Sequence, residues 1–218
     1  MKLKDVTSLS AEDTGRLFDE AKPFAELMMQ YRCAMLEVKT KLDVLNNELS
    51  LQNERNPFES INCRIKSVQS IIDKLQRKGL EVSIENIEKN LNDVAGIRVI
   101  CSFPEDIYTL AEKLFLQDDV RVVAVKDYIK NPKPNGYRSL HLIIEIPIFL
   151  STQKKFMRVE VQFRTIAMDF WASLEHKLKY KKNIDDSEEV SKELRECAED
   201  IARLDLKMQD IHKKIHSN

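Results

Sequence analysis

Residues 133–142 read KPNGYRSLHL and bring an aromatic ring, an imidazole and cationic side chains into one short stretch. Pro132, Pro134 and Gly136 constrain its approach as a loop. After Gly136 the pattern has period 2. Leu140, Leu142, Ile144 and Ile146 share one face of a strand, while Tyr137, Ser139 and His141 share the other. A basic loop that delivers a ring and an imidazole to one side of a sheet would suit a nucleotide. The ring could stack on a base and the cations could meet phosphates. The same residues equally describe a hairpin loop with a structural tyrosine.

Two carboxylates and a set of cations extend the possibility. Asp93 stands at the entrance of a strand pattern that also holds Arg98. Glu160 is central on the polar face of residues 156–164 (FMRVEVQFR), where Arg158, Glu160, Gln162 and Arg164 alternate with core-facing Val159, Val161 and Phe163. Such a strand is either solvent-exposed or lines a cleft. Lys66, Ser70, Lys74 and Arg77 recur at spacings of 4, 4 and 3, with Arg64 at their edge, and suit either a polyphosphate or an ordinary solvated helix face. Two carboxylates beside a phosphate site suit Mg²⁺, which takes one or two carboxylates plus substrate phosphate oxygens.

Several elements must position these groups. A long helix is expected after Pro23, read as an early helix position. Its apolar stripe is Leu27, Tyr31, Met35, Val38, Leu42, Leu45 and Leu49, and it ends before Pro57. Residues 1–22 read as a short helix or frayed start. Residues 60–79 read as a second helix, with stripe Ile65, Val68, Ile72 and Leu75 and with Gly79 as its C-terminal cap. Residues 84–101 give a short helix and then a strand over 95–101, where Gly96 would permit close backbone approach. A helix over 105–116, a strand over 120–126 and a loop over 127–136 follow. Residues 165–182 form a helix with the single Trp, broken at 183–187. A last helix over about 188–215 carries Leu194, Cys197, Ile201, Leu204, Met208, Ile211 and Ile215 as a heptad seam. That seam would pack on the N-terminal helix or on another subunit. His212 and His216 lie one turn apart, but with no third ligand nearby they read as solvated side chains rather than a metal site.

Composition narrows the classes. The 218 residues carry 35 Lys+Arg against 36 Asp+Glu, for a formal net charge of -1, so any anion site must be local. No apolar run approaches a membrane span, and residues 1–10 lack the apolar centre of a signal peptide, which makes the cytoplasm the expected location. Cys33, Cys63, Cys101 and Cys197 form no CxxC pair and are expected to be reduced thiols. With only four glycines there is no GxxxxGK(S/T) and no GxGxxG, and neither GxSxG nor HExxH is present. Phosphate recognition would therefore fall to Lys and Arg side chains.

The segments RIKSVQSIIDK, DVAGIRV, KPNGYRSLH and EVQFRTIAMDFWASLEHKLKYK occur in this order over residues 60–182. Together they resemble the synthetase domain of the RelA/SpoT family, and in particular its stand-alone small alarmone synthetases. The resemblance implies an α/β (α+β) nucleotidyltransferase-like fold, a mixed sheet of about five strands flanked by helices. It implies a single synthetase domain over 1–218, with a catalytic core at about 60–182 and helical extensions at 9–55 and 187–216. The implied reaction moves the β,γ-pyrophosphate of ATP to the 3′-hydroxyl of GDP or GTP, with Mg²⁺ as cofactor. By motif position, Arg64 and Arg98 would sandwich adenine, and Lys66, Ser70, Lys74 and Arg77 would meet the ATP phosphates. Asp93 would ligate Mg²⁺, and Glu160 would act as metal ligand or general base. Tyr137 would stack on guanine, Lys126, Lys133 and His141 would line the acceptor's 5′ phosphates, and Gln162 would lie near the reacting end. Asp169 falls where some relatives carry Asn.

The resemblance further implies a homotetramer built through the terminal helices. It leaves open an allosteric pppGpp site and RNA binding, and implies no membrane partner. No His-Asp dipeptide of the family's hydrolase occurs, so synthesis without degradation is expected, and with no room for the family's C-terminal regulatory domains ribosome-independent control is expected too. Two other readings stay open from the residues. One is a toxin-like relative that pyrophosphorylates adenine nucleotides or the tRNA 3′ end. The other is a non-catalytic nucleotide- or RNA-binding regulator.

Overall fold

The computed structural model describes residues 11–52, 55–181 and 188–216, with side chains from 21 onward except at 179–181, 188 and 216. The elements run α1 (Ala11–Gln52), β1 (Phe58–Ile65), α2 (Val68–Arg77), α3 (Ile84–Asn90), β2 (Ala95–Cys101), α4 (Pro104–Phe115), β3 (Arg121–Asp127), β4 (Leu140–Phe149), β5 (Lys154–Thr165), α5 (Ile166–Lys181) and α6 (Glu188–His216). The expected helix break at 183–187 lies outside the described residues.

One five-stranded sheet has the order β1-β2-β5-β4-β3. The β2–β5 pair is parallel and the other three pairs are antiparallel. Period-2 patterning divides its faces. Ile97, Val99, Leu142, Ile144, Val159, Val161 and Phe163 are buried on one face, and α1 lies across it with Leu27, Tyr31, Val38, Leu42, Leu45 and Leu49 buried in the same core. The expected α1 stripe is therefore the core face, although Met35 is only half-buried. The opposite sheet face is polar through the centre.

Three expectations change. Pro23 lies inside α1, not in its first turns, since the helix already runs from Ala11. Residues 58–65 form an edge strand where a helix was expected. They hydrogen-bond along the free edge of β2, with Arg64 opposite Gly96 and Asn62 opposite Arg98, and this tertiary pairing overrides a helical spacing that rested on Ile65 and Val68. Val68 is in fact exposed, and Ile71 and Leu75 are the buried residues of α2. Ser67 caps that helix by accepting from the Ser70 amide. The end is as expected: Gly79 has φ +69, and the Gly79 and Leu80 amides donate to Gln76 and Leu75 carbonyls, a Schellman closure.

The heptad seam of α6 is the third change. Among the described residues the helix packs chiefly on α5 and α4. Ala198 is buried against Trp171 and Ala172, with Leu194 and Ile201 beside them. Trp171 Nε1 donates to the Leu194 carbonyl at 2.9 Å, and Thr165 Oγ1 donates to buried Asp205 at 2.5 Å. Leu204, Met208, Ile211 and Ile215 remain exposed.

This docking reaches the loop before β4. Residues 133–136 close a turn in which the Gly136 amide donates to the Lys133 carbonyl at 2.8 Å, with Pro134 and Asn135 at its corners. Gly136 has φ +88, and a Cβ there would lie 2.6 Å from Ala198 Cβ and 3.2 Å from Arg195 Cα. Gly79 has a similar φ and open space around it. Gly79→Ala should therefore cost about 1–2 kcal/mol for the left-handed backbone alone. Gly136→Ala should cost a further ~1–3 kcal/mol of overpacking against α6. Urea unfolding of both variants checks this, and equal losses would show that α6 does not press on the loop.

Candidate active site

Strand register brings the polar candidates together. Asn62, Arg98, Gln162, His141 and Lys126 are successive partners across all five strands, and Arg64, Gly96 and Glu160 are partners one step along. Directly paired residues share a face. A cleft of about 370 Å³ opens there, lined by Asn62, Arg64, Asp93, Gly96, Arg98, Glu160 and Gln162 among others. An added Cβ at Gly96 would make only ordinary contacts, 3.7 Å to the Arg64 carbonyl and 4.0 Å to that of Glu160. The close backbone approach expected at Gly96 therefore does not require its bareness. That bareness leaves the cleft floor open between Arg64 and Glu160.

Asp93 enters this cleft from the turn before β2. Its Oδ2 accepts from Lys66 Nζ at 2.8 Å and from Lys74 Nζ at 2.6 Å. Its Oδ1 is buried without a protein hydrogen-bond partner. Burial pushes the Asp93 carboxyl up, but the bonds and charges of the two lysines outweigh it and hold the group below the usual carboxylate range. Ser70 sits in the first turn of α2, where its hydroxyl accepts from Ser67 Oγ. Arg77 is exposed and donates back to the Asp73 carbonyl, so it does not join the lysines on Asp93.

Glu160 has a different shell. His141 Nδ1 lies 3.3 Å from its Oε1, and Gln162 Nε2 donates to Oε2 at 2.7 Å. Burial again raises this carboxyl and nearby Asp93 adds to that, yet the His141 and Gln162 contacts prevail and lower it. His141 Nε2 is in turn 2.8 Å from Tyr137 Oη. Both His141 nitrogens are thereby engaged. Ser139, expected on the same face, is buried and donates to the Phe163 carbonyl instead.

The acceptor-side loop is clamped by cations. Lys133 Nζ stands 4.8 Å from the centroids of both the Tyr128 and Tyr137 rings. Lys126 is exposed on edge strand β3. Asp169, on the first turn of α5, accepts from Arg164 Nη1 at 2.9 Å and lies 3.3 Å from Arg98 Nη1. Arg164 and Tyr128 were not singled out from the sequence. The period-2 polar face of β5 pointed to Arg164, whereas nothing local pointed to Tyr128.

The donor set fits a divalent cation. Among the described residues no group of three or more His, Cys, Asp and Glu could hold a metal alone. Two carboxylates line the cleft, one with a buried free oxygen, and a hard cation that keeps substrate phosphates as further ligands needs no more. His212 is not part of any such set. It is stacked on Phe103 at 4.8 Å and its Nε2 accepts from Arg55 Nε at 2.9 Å, so it is not the freely solvated side chain expected. The side chain of His216 lies outside the described residues. A second, more apolar groove of about 730 Å³, lined by Phe170, Leu204, Met208 and His212 among others, carries none of the candidate residues.

The two lowered carboxyls have a consequence for stability. A depressed folded-state value contributes stability that is present above the unfolded value, near pH 4, and is lost as pH falls through the folded one. Unfolding free energy should therefore decline as the solution is acidified below that point, and Asp93→Asn should flatten the decline. Urea titrations at a series of acidic pH values test this, and identical slopes for wild type and variant would refute it.

Comparison with known proteins gives this arrangement a family. The model for the "Region found in RelA / SpoT proteins" matches residues 63–185. GTP pyrophosphokinase YwaC of Bacillus subtilis is 46% identical over 188 residues, covering 86% of this chain and 90% of that protein. The crystal structure of small alarmone synthetase 2 from Bacillus subtilis superposes with a TM-score of 0.80 at 45% identity, covering 88% of this chain and 99% of the other. Small alarmone synthetase 1 from the same organism, bound to its product pppGpp, gives a TM-score of 0.81 at 36% identity, covering 89% and 99%. The order of motifs, the five-stranded sheet and these matches agree, and the chain belongs to the RelA/SpoT family.

Proposed function

We propose that this chain is a GTP pyrophosphokinase that transfers the β,γ-pyrophosphate of ATP to the 3′-hydroxyl of GDP or GTP. The products are AMP and ppGpp or pppGpp, the alarmones of the stringent response. The observation that carries this reading is the convergence of Asp93, Glu160, Arg64 and Arg98 on one cleft, with Tyr137 and His141 at its side, in a member of this family.

The chemistry follows from the side chains. The acceptor oxygen bonds to the β-phosphorus, the bond from that phosphorus to the α,β-bridging oxygen breaks, and AMP leaves with the electron pair. The attacking hydroxyl must lose its proton, and Glu160 is the carboxylate to receive it. Its lowered value keeps it ionised at neutral pH and makes it a weak base, so it works mainly by holding the hydroxyl in line. Arg64 and Arg98 flank the adenine. Lys66, Lys74 and Ser70 take the ATP phosphates, with Arg77 further along α2. Before substrate arrives, Asp93 neutralises the two lysines. Tyr137 stacks on guanine, Gln162 and Asp169 border that base and the reacting end, and Lys126, Lys133 and His141 lie on the acceptor's side. Mg²⁺, held by Asp93 and Glu160, would neutralise the charge of the transferring phosphates.

We also propose that the chain acts as one synthetase domain and assembles as a homotetramer through its terminal helices. The exposed Leu204, Met208, Ile211 and Ile215 on α6 support that assembly. No described helix is long and apolar enough to cross a membrane.

Incubation with ATP, GDP and Mg²⁺ followed by nucleotide chromatography tests the activity, and absence of AMP and ppGpp would overturn it. Glu160→Gln should lower turnover by ~10²-fold or more, the scale of losing a carboxylate that both orients the hydroxyl and takes its proton. Tyr137→Ala should chiefly raise the acceptor KM, by the equivalent of roughly 1–3 kcal/mol of base stacking. An unchanged acceptor KM would remove the stacking role.

A further inference from the structure

Arg164 has no task in the reaction as described, yet it is a buried cation at the edge of the cleft, 5% exposed. Burying a charge is costly unless its bonds are specific. Its Nη2 donates to Tyr137 Oη at 2.7 Å and to Gln162 Oε1 at 3.3 Å, and its guanidinium carbon stands 5.1 Å from the Tyr137 ring centroid. Its Nη1 also donates to Asp169 Oδ1 at 2.9 Å, an oxygen that Arg98 approaches at 3.3 Å.

The contacts form a line, Arg164 to Tyr137 to His141 to Glu160, and for a neutral imidazole one direction satisfies every donor in it. A guanidinium only donates and an ionised carboxylate only accepts. With Arg164 donating to its oxygen, the Tyr137 hydroxyl has one proton to give, and His141 Nε2 is 2.8 Å away. A neutral imidazole that accepts at Nε2 carries its proton on Nδ1, which faces Glu160 Oε1 at 3.3 Å. The other tautomer would turn a lone pair toward the carboxylate.

We propose that Arg164 is a positioning residue for pyrophosphate transfer. Through the Tyr137 hydroxyl it selects the His141 tautomer that donates from Nδ1 to Glu160. One buried cation thereby ties the ring that seats the acceptor base to the carboxylate that faces the acceptor hydroxyl. The inference rests on the assignment of Tyr137 and Glu160 to the acceptor side.

Two variants of the full chain test it. Tyr137→Phe keeps the ring and removes the hydroxyl, and Arg164→Lys keeps the charge and loses the fork. Nitrogen NMR of ring-labelled histidine, in alkaline buffer that keeps imidazoles neutral, reads the tautomer without any turnover. Wild-type His141 should show a protonated Nδ1 and a bare Nε2, and both variants should move toward a mixture. Steady-state assays with ATP and GDP should show kcat falling by about tenfold in both, the scale of losing a residue that orients a catalytic ligand, with the acceptor KM unchanged in Tyr137→Phe, which keeps the ring. If Arg164→Lys fails to fold, Tyr137→Phe decides alone. An unchanged tautomer, or a changed tautomer with unchanged kcat, overturns the proposal. A wild-type protein that makes no AMP overturns the catalytic reading and the positioning role with it, and a tautomer shift in the same samples separates that failure from a wrong hydrogen-bond direction.

Discussion

The cleft depends on how β5 sits in the sheet. It is paired in parallel with β2 and antiparallel with β4, and Val159, Val161 and Phe163 are fully buried on its core face. A slip of one residue would exchange the faces and drive Glu160, Gln162 and Arg164 into the core. The apolar residues thus hold the polar ones in register, and every pair across the cleft inherits that register. Arg98 stands beside Gln162 and His141 beside Gln162 because the neighbouring core residues cannot shift.

Charge is balanced locally within this frame. Lys66 and Lys74 share one oxygen of Asp93, while Arg98 and Arg164 share one oxygen of Asp169. These four cations each have a carboxylate partner, which limits the cost of holding charges in a half-buried site. It also explains why a chain with formal net charge -1 can build an anion site. Phosphate oxygens would replace carboxylate oxygens as partners for the same donors. The two reaction-side carboxylates differ in their neighbours: Asp93 is held by ammonium groups, and Glu160 by an imidazole and an amide. That difference suits the proposed roles, Asp93 as a cation ligand and Glu160 as a cation ligand that also faces the acceptor hydroxyl.

The acceptor side is braced from behind. α6 presses Ala198 and Arg195 against Gly136, and Trp171 and Thr165 pin α6 to α5 and the end of β5. The loop carrying Lys133 and Tyr137 is therefore backed by a helix distant in sequence. Its tyrosine is held from three sides, by Lys133 above the ring and by Arg164 and His141 at the hydroxyl.

Much of this was legible in the chain itself. Period 2 in β4 and β5 and the 3- and 4-residue steps of α1 specify the elements and their core faces, because burial demands that pattern wherever one face is covered. Gly79 marked a helix end because only its φ suits the closure there. The motifs of residues 60–182 identified the family. Tertiary structure alone decided the rest. Residues 58–65 became a strand because the edge of β2 offered backbone partners, and this moved Arg64 opposite Gly96 in the sheet. Ala198, not the full heptad seam, became the buried contact of α6, because the surface it meets is Trp171 and the Gly136 loop. The line from Arg164 through Tyr137 and His141 to Glu160 joins a loop and two strands, and its order is set by strand register and hydrogen-bond direction, neither of which is written in local spacing.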